Sequence, residues 1–176
     1  MEYIVLGILL YKDMTIYELN TAFKKGLFLI YSASYGSLQN AVKKLLKKDY
    51  IFFRETVENG RNKKIYQINA IGEKCFYDWM SAEITENKLE TTILSKIYFL
   101  GFIKEKEDKL KIIDDMIQKT EEVRDGLSAY YKQITALELS DKEREIGKYQ
   151  IKTLDYGVMS HEVAVEWLYK LRDEII

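Results

Sequence analysis

Lys43, Lys44, Lys47 and Lys48 close a short stretch that also carries Ser34, Tyr35, Ser37, Gln39 and Asn40. Ammonium groups at this density bind phosphate, while amides and hydroxyls between them can hydrogen-bond the edges of bases. Arg61, Lys63 and Lys64 follow a little further on. From Ser34 to Lys64 there are eight Lys or Arg and three Asp or Glu, an excess of five positive charges in a chain whose net charge is −1. The cations are therefore concentrated in one place, the electrostatic footprint of a phosphate-binding surface. Most lysine clusters are solvated helix faces, so the elements that carry these residues must decide between the two readings.

At 100° per residue, Leu38, Ala41, Val42, Leu45 and Leu46 fall on one apolar stripe. Gly36, Ser37, Asn40, Lys43, Lys44 and Lys47 take the other side. Ser34 is placed to cap this helix, which is expected to run to Lys48. A helix with a buried back and a cationic, amide-bearing front suits a DNA major groove. After it, Asn59-Gly60 is the strongest short signal for a tight hairpin turn, with strands expected over Tyr50–Glu58 and Arg61–Ile68. Earlier in the chain, Met1–Lys12 reads as a buried helix. Thr15 can cap a second, Ile16 to about Lys25, with Ile16, Leu19 and Phe23 inward, and Gly26–Tyr31 reads as a packed connector. Asn69 can cap a fourth helix with Phe76, Trp79 and Met80 inward. Helix, helix, helix, two-stranded wing, helix is the winged helix-turn-helix order, expected over residues 1–84.

A polar passage from Ala82 to Leu89 marks a boundary, and residues 85–176 read as all-α. The spacing predicts helices over Thr91–Ile103 and Glu105–Leu139, and a last one capped by Ser140. The Glu105–Leu139 helix carries two apolar stripes, Leu110, Ile113, Ile117, Leu127, Tyr131 and Ile134 beside Ile112, Met116, Val123, Tyr130 and Leu137. On the last, Ile151, Leu154, Val158, His161, Val165, Leu168 and Ile175 form one line, with Tyr149, Tyr156, Val163, Trp167 and Leu171 beside it. Long helices with two apolar stripes need neighbours on both sides, and a second copy of the chain supplies them. Ile151, Leu154, Val158, His161, Val165, Trp167 and Leu168 are the expected dimer contacts, the alternative being stripes that meet within one chain. The fold class expected is mostly α, a winged domain followed by a dimerisation domain of long helices.

Composition narrows the chemistry. Cys75 and His161 are the sole Cys and His, too few for a zinc site within one chain, so no cofactor is expected. One cysteine forms no internal disulfide and fits a reducing, cytoplasmic setting. The apolar run Tyr3–Leu10 is far shorter than the ~20 residues of a membrane span. No phosphate-cradling glycine loop or nucleophile elbow points to an enzyme. With 14 Tyr, 7 Phe and 2 Trp, a pocket for a small-molecule effector has Trp79, Tyr98, Phe99, Phe102 and Trp167 as candidate walls, although aromatics at helical spacing are usually core.

Thr15-Ile16-Tyr17-Glu18-Leu19, Ser34-x-Gly36-Ser37-Leu38, Lys47-Lys48-Asp49-Tyr50-Ile51 and Gly60-Arg61-x-Lys63-Lys64-x-Tyr66 together resemble the PadR-like transcriptional regulators. Leu154-Asp155-Tyr156-Gly157 through Glu166-Trp167-Leu168 is similar to that family's carboxy-terminal dimerisation helix. The resemblance spans essentially the whole chain. It implies a homodimeric repressor that binds an inverted-repeat operator in double-stranded DNA and is released by a small aromatic or lipophilic molecule. The chain departs from the family pattern in having Thr15-Ile16 for the usual His-Gly and Gln39-Asn40 for the usual Tyr-Pro. That tyrosine commonly touches the DNA backbone, whereas Gln39 and Asn40 can read an adenine edge. A winged-helix protein-interaction module without DNA binding is the alternative function.

Overall fold

The structure is a computed structural model. It describes the chain apart from residues 27–33, 59–60, 86–87, 138–139 and 176, and apart from the side chains of residues 58, 61, 141 and 142. The expected turn at Asn59-Gly60 and most of the expected connector therefore lie outside the described residues. The chain forms two compact units, Met1–Ala82 with Leu94–Phe102, and Glu83–Ile93 with Ile103–Ile176. Leu94–Phe102, which the sequence reading assigned to the part after residue 84, packs in the first unit.

In the first unit, α1 (Glu2–Tyr11) buries Ile4 through Leu9 continuously, as its unbroken apolar run requires. Strand β1 (Met14–Thr15) leads into α2 (Ile16–Gly26), whose Leu19 and Phe23 are buried. Thr15 and Glu18 form a reciprocal cap. Glu18 N–H donates to Thr15 Oγ1 at 3.2 Å and Thr15 N–H donates to Glu18 Oε2 at 2.8 Å. The Thr15 backbone bond, foremost, holds the Glu18 carboxyl below its ordinary pKa. Helix α3 (Tyr35–Lys47) buries Leu38, Ala41, Val42 and Leu45. Its exit is a Schellman turn, with Asp49 N–H on Leu46 O at 3.1 Å and Tyr50 N–H on Leu45 O at 3.0 Å. Asp49 takes φ 54° there, a left-handed conformation that aspartate tolerates better than most residues.

Strands β2 (Ile51–Glu58) and β3 (Arg61–Ile68) pair antiparallel, Ile51 opposite Ile68 and Glu58 opposite Arg61. The two-stranded wing gains a third strand, because β1 pairs with β3 through Thr15 and Ile65, giving the order β1-β3-β2. Helix α4 (Ala70–Ser81) starts from Asn69, whose Oδ1 accepts Gly72 N–H at 2.9 Å while its Nδ2 donates to Asp49 O at 2.6 Å. One side chain thus ties the start of α4 to the exit of α3. Asn69→Ala is expected to lower stability by about 1–2 kcal/mol, read as a shifted urea midpoint with unchanged slope. Phe76, fully buried, is the centre of the aromatic core, with ring centroids 5.5 Å from Phe99, 5.8 Å from Trp79 and 6.2 Å from Phe102.

Helix α5 (Leu89–Phe99) is followed by a 3₁₀ turn, Leu100–Phe102. The second unit is dominated by α6 (Lys106–Thr135) and α7 (Asp141–Asp173). Ser140 and Glu143 cap α7 reciprocally. The two helices run antiparallel. Arg172 Nε donates to Asp114 Oδ1 at 2.6 Å near one end, and Tyr169 OH donates to Glu121 Oε1 at 3.3 Å. Ile112, Ile113, Met116 and Ile117 of α6 and Val165 and Leu168 of α7 are buried. Helix α6 ends at Thr135, short of the expected Leu139, and Leu137 is exposed.

Candidate nucleic-acid interface

Burial fixes the orientation of α3. With its apolar stripe turned into the core, Gln39, Asn40, Lys43, Lys44 and Lys47 are all exposed. Asn40, Lys43 and Lys47 recur at i, i+3 and i+7 and so form one outward row, with Gln39 beside it. Among the described residues neither Lys43 nor Lys47 has an ion pair. Lys44 and Lys48 differ, since both approach Glu2 on α1, Lys48 Nζ at 2.6 Å and Lys44 Nζ at 3.9 Å. The hydrogen bond to Glu2 raises the Lys48 pKa, so this ammonium stays charged.

At the start of α3, Ser34 Oγ accepts Ser37 N–H at 3.2 Å, and Ser37 Oγ donates to Ser34 O at 2.7 Å. Both hydroxyls are engaged in shaping the first turn. Ser37, half-buried, has donated its proton within its own turn instead of holding it for a base edge. Tyr35 stands 45% exposed beside them. Its hydroxyl lies close enough to Tyr66 on β3 to add to the raised Tyr66 pKa, which burial chiefly causes.

Along a strand successive side chains alternate faces, so Lys63 and Lys64 point to opposite sides of the hairpin. Lys64 shares its face with Glu55, 3.7 Å away, and its Nζ lies 4.2 Å from the centre of the Phe53 ring. Lys63 shares the other face with Arg54 and Thr56. The expected single cationic patch at the wing is thus divided between two faces. Arg61 opens β3, but its side chain lies outside the described residues. Sequence reasoning did not single out Arg54, which is exposed. The Glu58–Arg61 register, once taken from the turn, would have put Arg54 on the Lys63 face.

The seven expected dimer contacts separate into two groups. Val165 and Leu168 are buried within the chain, while Ile151, Leu154, Val158 and His161 are half-buried. The His161 ring Nδ1 lies 2.7 Å from Gly157 O. These six lie along one side of α7, and the long α6–α7 contact covers that side. Trp167 is different, at 46% exposed. It falls with exposed Tyr149, Tyr156, Met159 and Val163 on the opposite side of α7, about half a turn away. The line of Tyr149, Tyr156, Val163 and Trp167 therefore does not run beside the first, as the spacing suggested, but across the helix from it.

The first unit also holds a cavity of about 460 Å³ walled by Gly7, Ile8, Met14, Ala22, Phe99 and Phe102, with Tyr11, Lys25 and Tyr98 among its lining. Three of the five candidate aromatics, Tyr98, Phe99 and Phe102, line it. Trp79 instead stacks on Tyr3 at 4.9 Å, and Trp167 lies on α7. Among the described residues no cluster of His, Cys, Asp or Glu is arranged to hold a metal ion. No helix among them is long and apolar enough to cross a membrane.

No protein-family model matches the chain. A curated relative, the negative transcriptional regulator PadR of Bacillus subtilis (strain 168), is 24% identical over 160 residues, covering 87% of this chain and 86% of its own. Among solved structures, Bacillus subtilis PadR in complex with operator DNA is 21% identical with a TM-score of 0.45, covering 99% of this chain and 98% of the other. The protein smu.1604c from Streptococcus mutans UA159 is 25% identical with a TM-score of 0.46, covering 96% of both chains. With three helices, a wing and a fourth helix followed by two long helices, the chain has the winged-helix order, and its sequence is similar to a PadR along most of its length.

Proposed function

We propose that this chain regulates transcription by binding an operator in double-stranded DNA as a homodimer, acting as a repressor like its curated relative. The observation that carries the reading is the outward row of α3. Asn40, Lys43 and Lys47 stand exposed together with Gln39 on a helix whose ends are both chemically fixed. Lys43 and Lys47 would neutralise phosphates, and Gln39 and Asn40 would take base edges in the major groove. Arg61, with Lys63 and Arg54 or with Lys64, would hold the neighbouring backbone from the wing. Ser34, Tyr35 and Ser37 would orient the start of α3. Lys44 lies beside the row, where it approaches Glu2 on α1.

The homodimer is assigned to the outer side of α7. Trp167, Tyr149, Tyr156, Met159 and Val163 are large and exposed, a continuous apolar line of the kind that marks an interaction surface. Ile151, Leu154, Val158, His161, Val165 and Leu168 would then hold α7 to α6 and support the contact from behind. Symmetry would place the two recognition helices about 34–36 Å apart, one turn of duplex. The cavity in the first unit is of a size that takes small ligands. Phe99 and Phe102 offer an apolar slot and Lys25 a positive charge, which together suit a small aromatic carboxylate as the effector.

A gel-shift titration against the DNA upstream of the chain's own gene, at about 50 and 200 mM salt, tests this reading. A complex whose affinity falls about a thousandfold or more across that range is expected for a dimer with six or more phosphate contacts. A small aromatic carboxylate is expected to weaken the complex. Absence of any shift at either salt would leave a winged-helix protein-interaction module.

A further inference from the structure

We propose that Glu2 sets the selectivity of the α3 surface by withholding Lys44 and Lys48 from phosphate. The inference rests on the DNA-binding reading above. The four lysines at the end of α3 look equivalent in sequence, but the fold divides them into two pairs. Lys43 and Lys47 face outward. Lys44 and Lys48, one turn apart, face α1, where a single carboxylate meets both, Oε2 at 2.6 Å from Lys48 and Oε1 at 3.9 Å from Lys44.

The carboxylate is not on a loose side chain at an arbitrary place. Glu2 is the first residue of a helix whose next turns, Ile4 to Leu9, are buried in the core, so its backbone is anchored. Its side chain is 26% exposed, against 68% for Lys44 and 51% for Lys48. Lys48 is further positioned over the Tyr50 ring, 5.8 Å from its centre. A phosphate approaching this side of α3 would have to compete with Glu2 for both cations and would meet the carboxylate's own negative charge.

Phosphate contacts add affinity for every sequence alike, whereas base-edge contacts add it for the correct one. A built-in competitor for two cations therefore trims the part of binding that carries no sequence information. The share that depends on Gln39 and Asn40 becomes larger.

The test compares salt titrations of the full chain, wild type against Glu2→Gln, on the upstream duplex and on a random duplex of equal length. Glu2→Gln is expected to bind the random duplex about three- to tenfold more tightly at low salt. Its log–log salt slope should steepen by about 1–2 per protomer, close to 0.9 for each phosphate gained. The preference for the upstream duplex should shrink. Asp78→Asn removes the same charge from a carboxylate that pairs with Lys74 on α4 and is expected to change neither slope. Glu2→Gln with Lys44→Ala and Lys48→Ala is expected to return the slope to the wild-type value. If Glu2→Gln behaves like Asp78→Asn, or the triple variant stays as steep as Glu2→Gln, the assignment to Glu2 is overturned. Should Glu2→Gln melt early, Glu2→Asp, whose shorter arm draws the carboxylate back from Lys48, serves in its place with the same expected direction. A wild-type chain that binds neither duplex overturns the regulator reading itself, a result separate from any of these.

Discussion

Alanine at both Lys43 and Lys47 is expected to weaken binding to every duplex by at least about a hundredfold near 0.1 M salt, and to flatten the salt slope by about 2 per protomer. Both ammonium groups point away from the core, and among the described residues neither is committed to a carboxylate. Each is therefore available to replace counterions on phosphate at little internal cost. In a symmetric pair the double substitution removes four such contacts, which makes the expected loss large. Folding should be untouched, because alanine suits an exposed helical position at least as well as lysine. Gln39→Ala and Asn40→Ala form the contrast, since they should relax sequence preference and leave the slope alone. Fluorescence anisotropy at four or five salt concentrations separates these outcomes. A slope unchanged in the lysine double variant would remove α3 from the interface.

What could be read in the sequence was what local chemistry decides. Thr15, Ser34, Asn69 and Ser140 each cap the helix expected of them, because a capping side chain bonds its own first turn and needs no distant partner. The α3 stripe was legible for the same reason. Strand β1 was not, since two residues between helices show no period, and they become a strand only by pairing with β3. The Glu2 contact with Lys48 joins residues 46 apart in sequence, and nothing local announces it. Opposite sides for Lys63 and Lys64 follow from alternation alone and were open to a closer reading of the wing.

Helix α7 shows the limit of periodicity most clearly. Two apolar lines are visible in its sequence, and periodicity says that each wants a partner without saying which. Ile151, Leu154, Val158, Val165 and Leu168 lie on the side that meets α6, while Trp167 and the tyrosines stand exposed across the helix.

Gly72→Ala is expected to be the most damaging single methyl in the first unit, lowering its stability by about 2–4 kcal/mol and its melting temperature by roughly 10 °C or more. A Cβ on Gly72 would run into Tyr50 O and would lie 2.9 Å from Tyr50 C and 3.0 Å from Ile68 Cγ1. Backbone, unlike a side chain, cannot rotate out of the way, and this backbone is held from both directions. Tyr50 N–H is bonded to Leu45 O at 3.0 Å, closing α3, and Tyr50 O accepts Asn69 N–H at 3.2 Å, opening α4. Relief would require α4 to move off the base of the wing, stretching the Asn69 cap and disturbing the Schellman turn that ends α3. The same shift would misalign α3 with the hairpin, so DNA affinity should fall even at temperatures where the variant remains folded. Gly126→Ala is the matched control, because a Cβ there meets nothing within 4 Å and should add about 0.5–1 kcal/mol through helix propensity. If Gly72→Ala melts as high as Gly126→Ala, the α4–wing contact is looser than its geometry implies, and α3 owes its placement to the apolar stripe alone.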